Sequence, residues 1–477
     1  MSVKEVVVPV KSASDDRQYR VVTLSNNIQA VLVSDAETDR AAAALTVNVG
    51  SFSDPEDCKG LAHFLEHMLF LGTEKYPEEG SYAATVNKYG GSHNAWTAAE
   101  MTNYYFEVTP DHLEDILDPF SQFFIAPLFT ASATDREMNA VHSEHQKNLN
   151  NDGWRSHEML KQAMNPNHPF SRFATGDLST LRDRPAEVGL NVREILLKFH
   201  ADHYSANMMK VCIYGKEDLD TLQAYALKYF APIADKGVAA PAFEKDISKI
   251  VAEPATVFEF APIADRRQVK MQWILPSDKG HLDSQPLFAI AHFVGDEGPK
   301  SILSYLKDKG WAEGLMSGMD THDCFSEFSV NVDLTEEGLS HIGDVMQAVC
   351  VYIDMMANAS EEDLLRLHKE AVELQELNFQ FKTKGTAAGT VSSLTHSLFK
   401  YPADQILRGP AVIAAFRPDI LREYARQMTA DRAVVQVIAK AVNSSKFMVH
   451  MCRYLHLIAL IMYVSDRYSL LITILIP

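Results

Sequence analysis

The stretch GLAHFLEHMLFLGT, residues 60–73, carries two histidines four positions apart with a glutamate directly before the second. At about 100° per residue, an α-helix brings His63 and His67 to within about 40° of each other around its axis, one turn apart. Two imidazoles so placed can share one metal ion. Glu66 lies about 60° from His63 and about 100° from His67, so its carboxylate borders the same point without competing for it. There it can take a proton from a water. Three polar side chains on an otherwise apolar helix are costly to bury without a partner, and a zinc ion would satisfy them together. The motif is the zinc-peptidase signature H-E-x-x-H in reverse order.

A catalytic zinc needs a third protein ligand and an open position for water. The segment DREMNAVHSEHQKN, residues 135–148, offers Glu137, His142, Glu144 and His145 on a helical pattern. Glu137 and Glu144 are two turns apart and share a face, so one can ligate while the other orients a histidine. Spacing does not decide between them. His145 points away from Glu144 and reads as a packing or surface residue.

The elements that must hold these groups follow from the pattern around them. Residues 31–51 are strand-like, 60–72 form an apolar helix bounded by glycines, and 103–124 read as a strand followed by an amphipathic helix starting at Thr109-Pro110. The same order recurs at 257–277, 298–310 and 329–349. Asp39-Arg40 matches Asp265-Arg266, Gly60 and Gly72 match Gly298 and Gly310, and Thr109, Leu113, Ile116 and Asp118 match Thr335, Leu339, Ile342 and Asp344. This is an internal duplication. On that alignment Ser301, Ser304 and Tyr305 replace His63, Glu66 and His67, so the fold itself does not require the three polar groups. The expected fold class is α+β: two homologous two-layer sandwiches, each a mainly antiparallel sheet covered by helices. The expected divisions are an N-terminal segment 1–20, a zinc-peptidase domain 21–235, a linker 236–255 rich in Ala, Pro and Lys, a second non-zinc-binding domain 256–440, and an apolar tail 441–477.

Forty-four Lys and Arg against 63 Asp and Glu leave a net charge of −19 over 477 residues, which disfavours a nucleic-acid partner. Five scattered cysteines (58, 212, 324, 350 and 452) give neither a disulfide framework nor a thiolate metal site. With an acidic N-terminus lacking an apolar h-region, they point to a cytoplasmic protein. The longest apolar run of the tail, LIALIMYV at 457–464, is too short to span a bilayer.

Beyond these patterns, HFLEHMLFLGTEKYPEEGSY, GGSHNAWTAAEMTNYYFEV, DREMNAVHSEHQKNLNNDGW, NPNHPFSRFATGD and RPDILREYARQM together resemble the insulin-degrading-enzyme branch of the inverzincin, or pitrilysin, metallopeptidases. The resemblance covers roughly residues 20–440. It implies His63, His67 and Glu144 as ligands of one zinc per chain, Glu66 as general base and Glu137 as support behind the ligands. It implies that the strand edge at Asn94 and Ala95 pairs with the backbone of a peptide substrate, and that Phe70 and Trp154 line the cleft. Gly295, Glu297 and Gly318 would hold a peptide's N-terminus away from the metal. The family is about twice as long, and its second half supplies an arginine and a tyrosine at the scissile carbonyl. Residues 441–477 depart from the family pattern and read as a truncation or mis-splicing product. The resemblance thus implies an endopeptidase of short unfolded peptides. The alternative is a weakly active or non-catalytic half that binds peptides, a complementary half, or a second copy of itself.

Overall fold

The computed structural model describes residues 3–440; the apolar tail 441–477 lies outside the described residues. Two compact units emerge. Among the described residues the first comprises 3–147, 172–242 and 375–412, and the second 148–171, 243–374 and 413–440. This division is not the linear one expected at 235–256. The chain crosses into the second unit for one helix at 148–171 and returns to the first for another after residue 375.

The first unit is built on seven strands: β1 (Val3–Val7), β2 (Gln18–Leu24), β3 (Gln29–Ser34), β4 (Ala41–Val47), β5 (Ser92–Thr97), β6 (Thr102–Val108) and β7 (Met209–Gly215), in the order β1-β2-β3-β7-β4-β6-β5. Only β3 and β7 run parallel. The second has five: β8 (Val257–Phe260), β9 (Gln268–Leu275), β10 (Ala312–Thr321), β11 (Ser326–Leu334) and β12 (Val434–Ile438), in the order β10-β11-β9-β12-β8. Read from its far edge, β8-β12-β9-β11-β10 repeats β3-β7-β4-β6-β5, down to the single parallel pair between β8 and β12. The duplication read from sequence is therefore one of topology, and the mixed α+β class holds.

The helix alignment needs correction. In the first unit β4 is followed by α1 (Leu61–Leu69), α2 (Ser81–Lys88), the β5–β6 hairpin and α3 (Leu113–Gln122). Further along come α4 (Ala131–Asn148), α5 (Asp152–Gln162), which lies in the second unit, α6 (Val192–His203) and α7 (Leu219–Tyr229). In the second unit β9 is followed by α8 (Pro286–Val294), α9 (Ile302–Asp308), the β10–β11 hairpin and α10 (Ile342–Asn358). The counterpart of α1 is thus α8, and α9 corresponds to α2. The glycine match misled because α2, like α9, is a short helix between glycines, Gly80 and Gly90. In the register of the Asp39/Asp265 and Thr109/Thr335 matches, His63, Glu66 and His67 fall on Ala289, His292 and Phe293. The second unit still lacks the three-residue set, but not through Ser301, Ser304 and Tyr305.

The two faces of the first sheet are covered differently. Ala41, Ala43, Leu45 and Val47 of β4 share a core with Leu61, Phe64 and Leu65 of α1 and Phe120 of α3. The intervening Ala42 and Ala44 pack with Cys212 and Tyr214 against Val391, Leu394 and Leu398 of α12 (Ala387–Lys400), the last helix numbered here after α11 (Glu361–Gln380). A strand buried on both faces has no polar positions to alternate, which is why β4 reads AAAALTV. The helices on one face expected from the sequence are therefore joined by α12 on the other. In the second unit the alternation is plain: Val269, Met271 and Trp273 of β9 enter the core, while Gln272 on the opposite face bonds Gln436 and Glu327.

One buried base makes the first unit sensitive to acid. His200 on α6 packs between Phe129 and Tyr204, and its Nε2 is buried without a partner. Burial, with Lys236 nearby, pulls its pKa from 6.5 down to about 4. The neutral ring's contribution is full above pH 6.5 and is lost as pH falls through about 4, at a total of about 3 kcal/mol. Urea unfolding of His200→Phe should therefore lose less stability between pH 7 and pH 4.5 than the parent chain does.

Candidate active site

Helix α1 is fixed at its first turn by Asp54. Its buried carboxylate accepts from the backbone N–H groups of Gly60 at 2.7 Å and Ala62 at 2.8 Å, two of the donors a helix start leaves unpaired. Burial pushes this carboxyl up to about 7 against the pull of those donors and of Arg172. Gly60 enters the helix at φ 86°, and a Cβ there would lie 2.2 Å from Gly176 Cα, so no other residue fits without moving backbone.

From α1, His63 and His67 project toward α4. His63 Nε2 is 3.7 Å and His67 Nε2 3.5 Å from Glu144 Oε2. The three ligand atoms lie within 4.8 Å of one another and form the one His/Cys/Asp/Glu group among the described residues that could hold a metal. A tetrahedral zinc with bonds of about 2.0–2.1 Å sets its ligand atoms roughly 3.3–3.5 Å apart, and the 3.5 and 3.7 Å separations lie within a few tenths of an ångström of that. The other ring nitrogens are engaged. His63 Nδ1 is 2.6 Å from the Thr175 carbonyl oxygen, and His67 Nδ1 is 2.7 Å from Glu137 Oε1. With each Nδ1–H donating, both Nε2 lone pairs turn to the shared point.

Here the structure separates the two glutamates that spacing left equivalent. Glu144 reaches the Nε2 side, and Glu137 stands behind His67. Burial opposes a charge on His67, but the Glu137 and Glu144 carboxylates outweigh it and raise the pKa to about 9. Glu144 is held below its ordinary value, chiefly by its hydrogen bond with His67.

Glu66 is 7% exposed. Its Oε2 accepts from the Thr97 hydroxyl at 2.6 Å. Burial raises its pKa above the ordinary glutamate range, while the neighbouring imidazoles and Thr97 pull the other way. Three contributors escaped sequence reasoning: Asp54, Thr97 and the Thr175 carbonyl. Asp54, which precedes a proline and stands before the helix, could have been suspected as a cap; a hydroxyl in a strand and a backbone oxygen leave no comparable trace.

Asn94 and Ala95 lie on β5, the terminal strand of its sheet, whose outer edge has no neighbour among the described residues. Side chains alternate along it: His93, Ala95 and Thr97 turn to the α1 face, while Trp96 turns to α12, its Nε1 3.4 Å from Ser392 Oγ. Phe70, just past α1, is half-buried among His93, Tyr82, Tyr104 and Phe123. Trp154 is exposed on α5 of the second unit. Gly295 caps α8 and abuts Ser317, the neighbour of Gly318 on β10, the free edge of the second sheet; Glu297 is exposed in the loop after α8. His142 Nδ1 is buried without a partner, and His145 packs edge-on against Phe173 at 4.7 Å, both outside the ligand set.

Comparison with known proteins follows this layout. Residues 29–167 match the family "Insulinase (Peptidase family M16)", 191–371 the "Peptidase M16 inactive domain", and 379–451 the "Middle or third domain of peptidase M16". The chain is 39% identical over 438 residues to the A-factor-processing enzyme of Saccharomyces cerevisiae, covering 91% of this chain and 42% of that one. It is 40% identical over 432 residues to the insulin-degrading enzyme of Homo sapiens, covering 90% and 42%. The crystal structure of pitrilysin superposes with a TM-score of 0.89 at 26% identity, over 96% of this chain and 50% of that one. The chain thus spans less than half the length of the curated relatives it matches.

Asp54→Ala should leave two buried N–H groups without an acceptor and lower the unfolding free energy by about 2–3 kcal/mol. Asp54→Asn keeps one acceptor oxygen and should cost less. Chemical denaturation of the three proteins at one pH measures the difference.

Proposed function

This chain belongs to the M16 peptidase family, and from that premise we propose that it is a zinc-dependent endopeptidase acting on short unfolded peptides. The observation that carries the reading is the convergence of His63 Nε2, His67 Nε2 and Glu144 Oε2, with both Nδ1 atoms engaged from behind by Thr175 and Glu137. When bound, zinc supplies a Lewis acid that makes water nucleophilic near neutral pH and polarises a peptide carbonyl.

The chain's own groups do the rest. The free edge of β5 receives the substrate as an added strand, its backbone pairing at Asn94 and Ala95. Glu66 stands beside the ligands as the base that takes the water's proton and returns it to the leaving amine, its raised proton affinity nearer to that task than an exposed carboxylate's. Phe70 lines the cleft beside β5. The resemblance supports Trp154 as a further substrate-binding residue, and Gly295, Glu297 and Gly318 as an anchoring site for a peptide's N-terminus at the β10 edge. No helix among the described residues is long and apolar enough to cross a membrane. Cys58, Cys212 and Cys350 are buried free thiols, in keeping with the proposed cytoplasmic location.

Because the chain spans 42% of these relatives' length, the activity of residues 1–477 by themselves is a separate proposal: they bind zinc and peptide, and a complementary half or a second copy raises their turnover. Adding the C-terminal half of a relative would then raise kcat while leaving zinc content unchanged.

Metal analysis of the purified chain should find about one zinc, reduced in His63→Ala and Glu144→Gln. Glu66→Gln should keep the metal while hydrolysis of an unfolded peptide falls by roughly 10²-fold or more. Folded protein without zinc, or a Glu66→Gln variant as fast as the parent, overturns the reading.

A further inference from the structure

Thr97 is the last residue of β5, three positions past Asn94. Its hydroxyl donates to Glu66 Oε2 at 2.6 Å across the gap between sheet and helix. Its backbone is held from two directions. Within the sheet it pairs with Thr102 of β6. Just beyond it the hairpin turn docks on the segment leading to α1, where Ser51 N–H donates to the Ala98 carbonyl at 3.0 Å and Phe52 N–H to the Ala99 carbonyl at 2.8 Å. That docking is close enough that a Cβ on Gly50 would lie 2.2 Å from Ala98 O, so the glycine is required by the approach of the turn. The strand end, the turn and the start of the α1 segment form one pinned assembly.

We infer that Thr97 is a positioning residue: it holds the Glu66 carboxylate in its proton-accepting orientation and ties that orientation to the strand on which substrate docks. This rests on the peptidase reading above. A carboxylate turns about its last torsion with little preference. A donor fixed on Oε2 stops that rotation and leaves Oε1, which has no partner among the described residues, to receive the proton. No bond to Thr97 forms or breaks. Because Thr97 and the docking residues belong to one strand, a peptide added at Asn94 and Ala95 stiffens the element that aims the base. The side-chain alternation of β5 serves both ends at once: the edge presents backbone to substrate, while the inward face presents Ala95 to the core and Thr97 to Glu66.

The test uses the full zinc-loaded chain carrying Thr97→Val, which keeps shape and loses the hydroxyl, and Thr97→Ser, which restores it. With an internally quenched unfolded peptide, Thr97→Val should lower kcat by about 10-fold or more at nearly unchanged KM, and Thr97→Ser should recover most of it. Zinc content, and peptide affinity measured in the Glu66→Gln background, should not change. The contact has its own readout: in protein labelled with 13C at glutamate carboxyls, the Glu66 resonance, identified by its loss in Glu66→Gln, should shift in Thr97→Val and return in Thr97→Ser. An unmoved Glu66 resonance, an undiminished kcat in Thr97→Val, or a parallel loss of zinc or peptide binding overturns the inference. If the parent chain hydrolyses nothing, the peptidase reading fails, and the resonance alone decides whether Thr97 orients Glu66.

Discussion

The arrangement depends on hydrogen bonds made on the far side of two imidazole rings. A histidine can offer either nitrogen, and only an acceptor at Nδ1 commits it to presenting Nε2. The Thr175 carbonyl does this for His63 and Glu137 for His67. One acceptor is neutral backbone and the other a carboxylate. Burial opposes a charge on His67, but the carboxylates beside it, Glu137 foremost, push its pKa up to about 9. Remove either acceptor and the ring is free to turn, which dissolves the shared point with Glu144 even though all three side chains remain.

Around that point the chain is assembled by close backbone approaches. Gly60 meets Gly176 and Gly50 meets Ala98, each at a distance that excludes a side chain, and Asp54 closes the start of α1 with two buried hydrogen bonds. The segment 172–177, which carries Thr175, and the β5–β6 turn are therefore both registered against the same short stretch before α1. Position is transmitted through main chain and not through long side chains, which lose rotamer freedom when fixed.

Much of this was legible in the sequence, and the unread parts share a cause. Helical periodicity placed His63, Glu66 and His67 on one face and brought Glu137 and Glu144 to another, because 100° per residue is a property of the backbone. It could not rank the two glutamates, since the choice depends on which ring nitrogen each meets. The duplication was visible in the strand and turn matches, yet its central helix was assigned to α9, since glycine boundaries alone do not distinguish two short neighbouring helices. Strand order did. Thr97 and Thr175 act through a hydroxyl and a carbonyl that any strand or loop can provide, so only three-dimensional proximity marks them. The return of α12 to the first sheet was foreshadowed by the four consecutive alanines of β4, a strand with no solvent face.

On the peptidase reading proposed above, the edge of β5 that has no neighbour among the described residues also bears on what can be digested. A strand edge binds through amide and carbonyl groups, and in a helix or a folded sheet those groups are already occupied. Such an edge therefore selects for conformation before it selects for side chains. On that reading a folded polypeptide would be taken only in its locally open state, so its turnover would follow the free energy its own segment needs to open, and stability in the target would act as protection from cleavage.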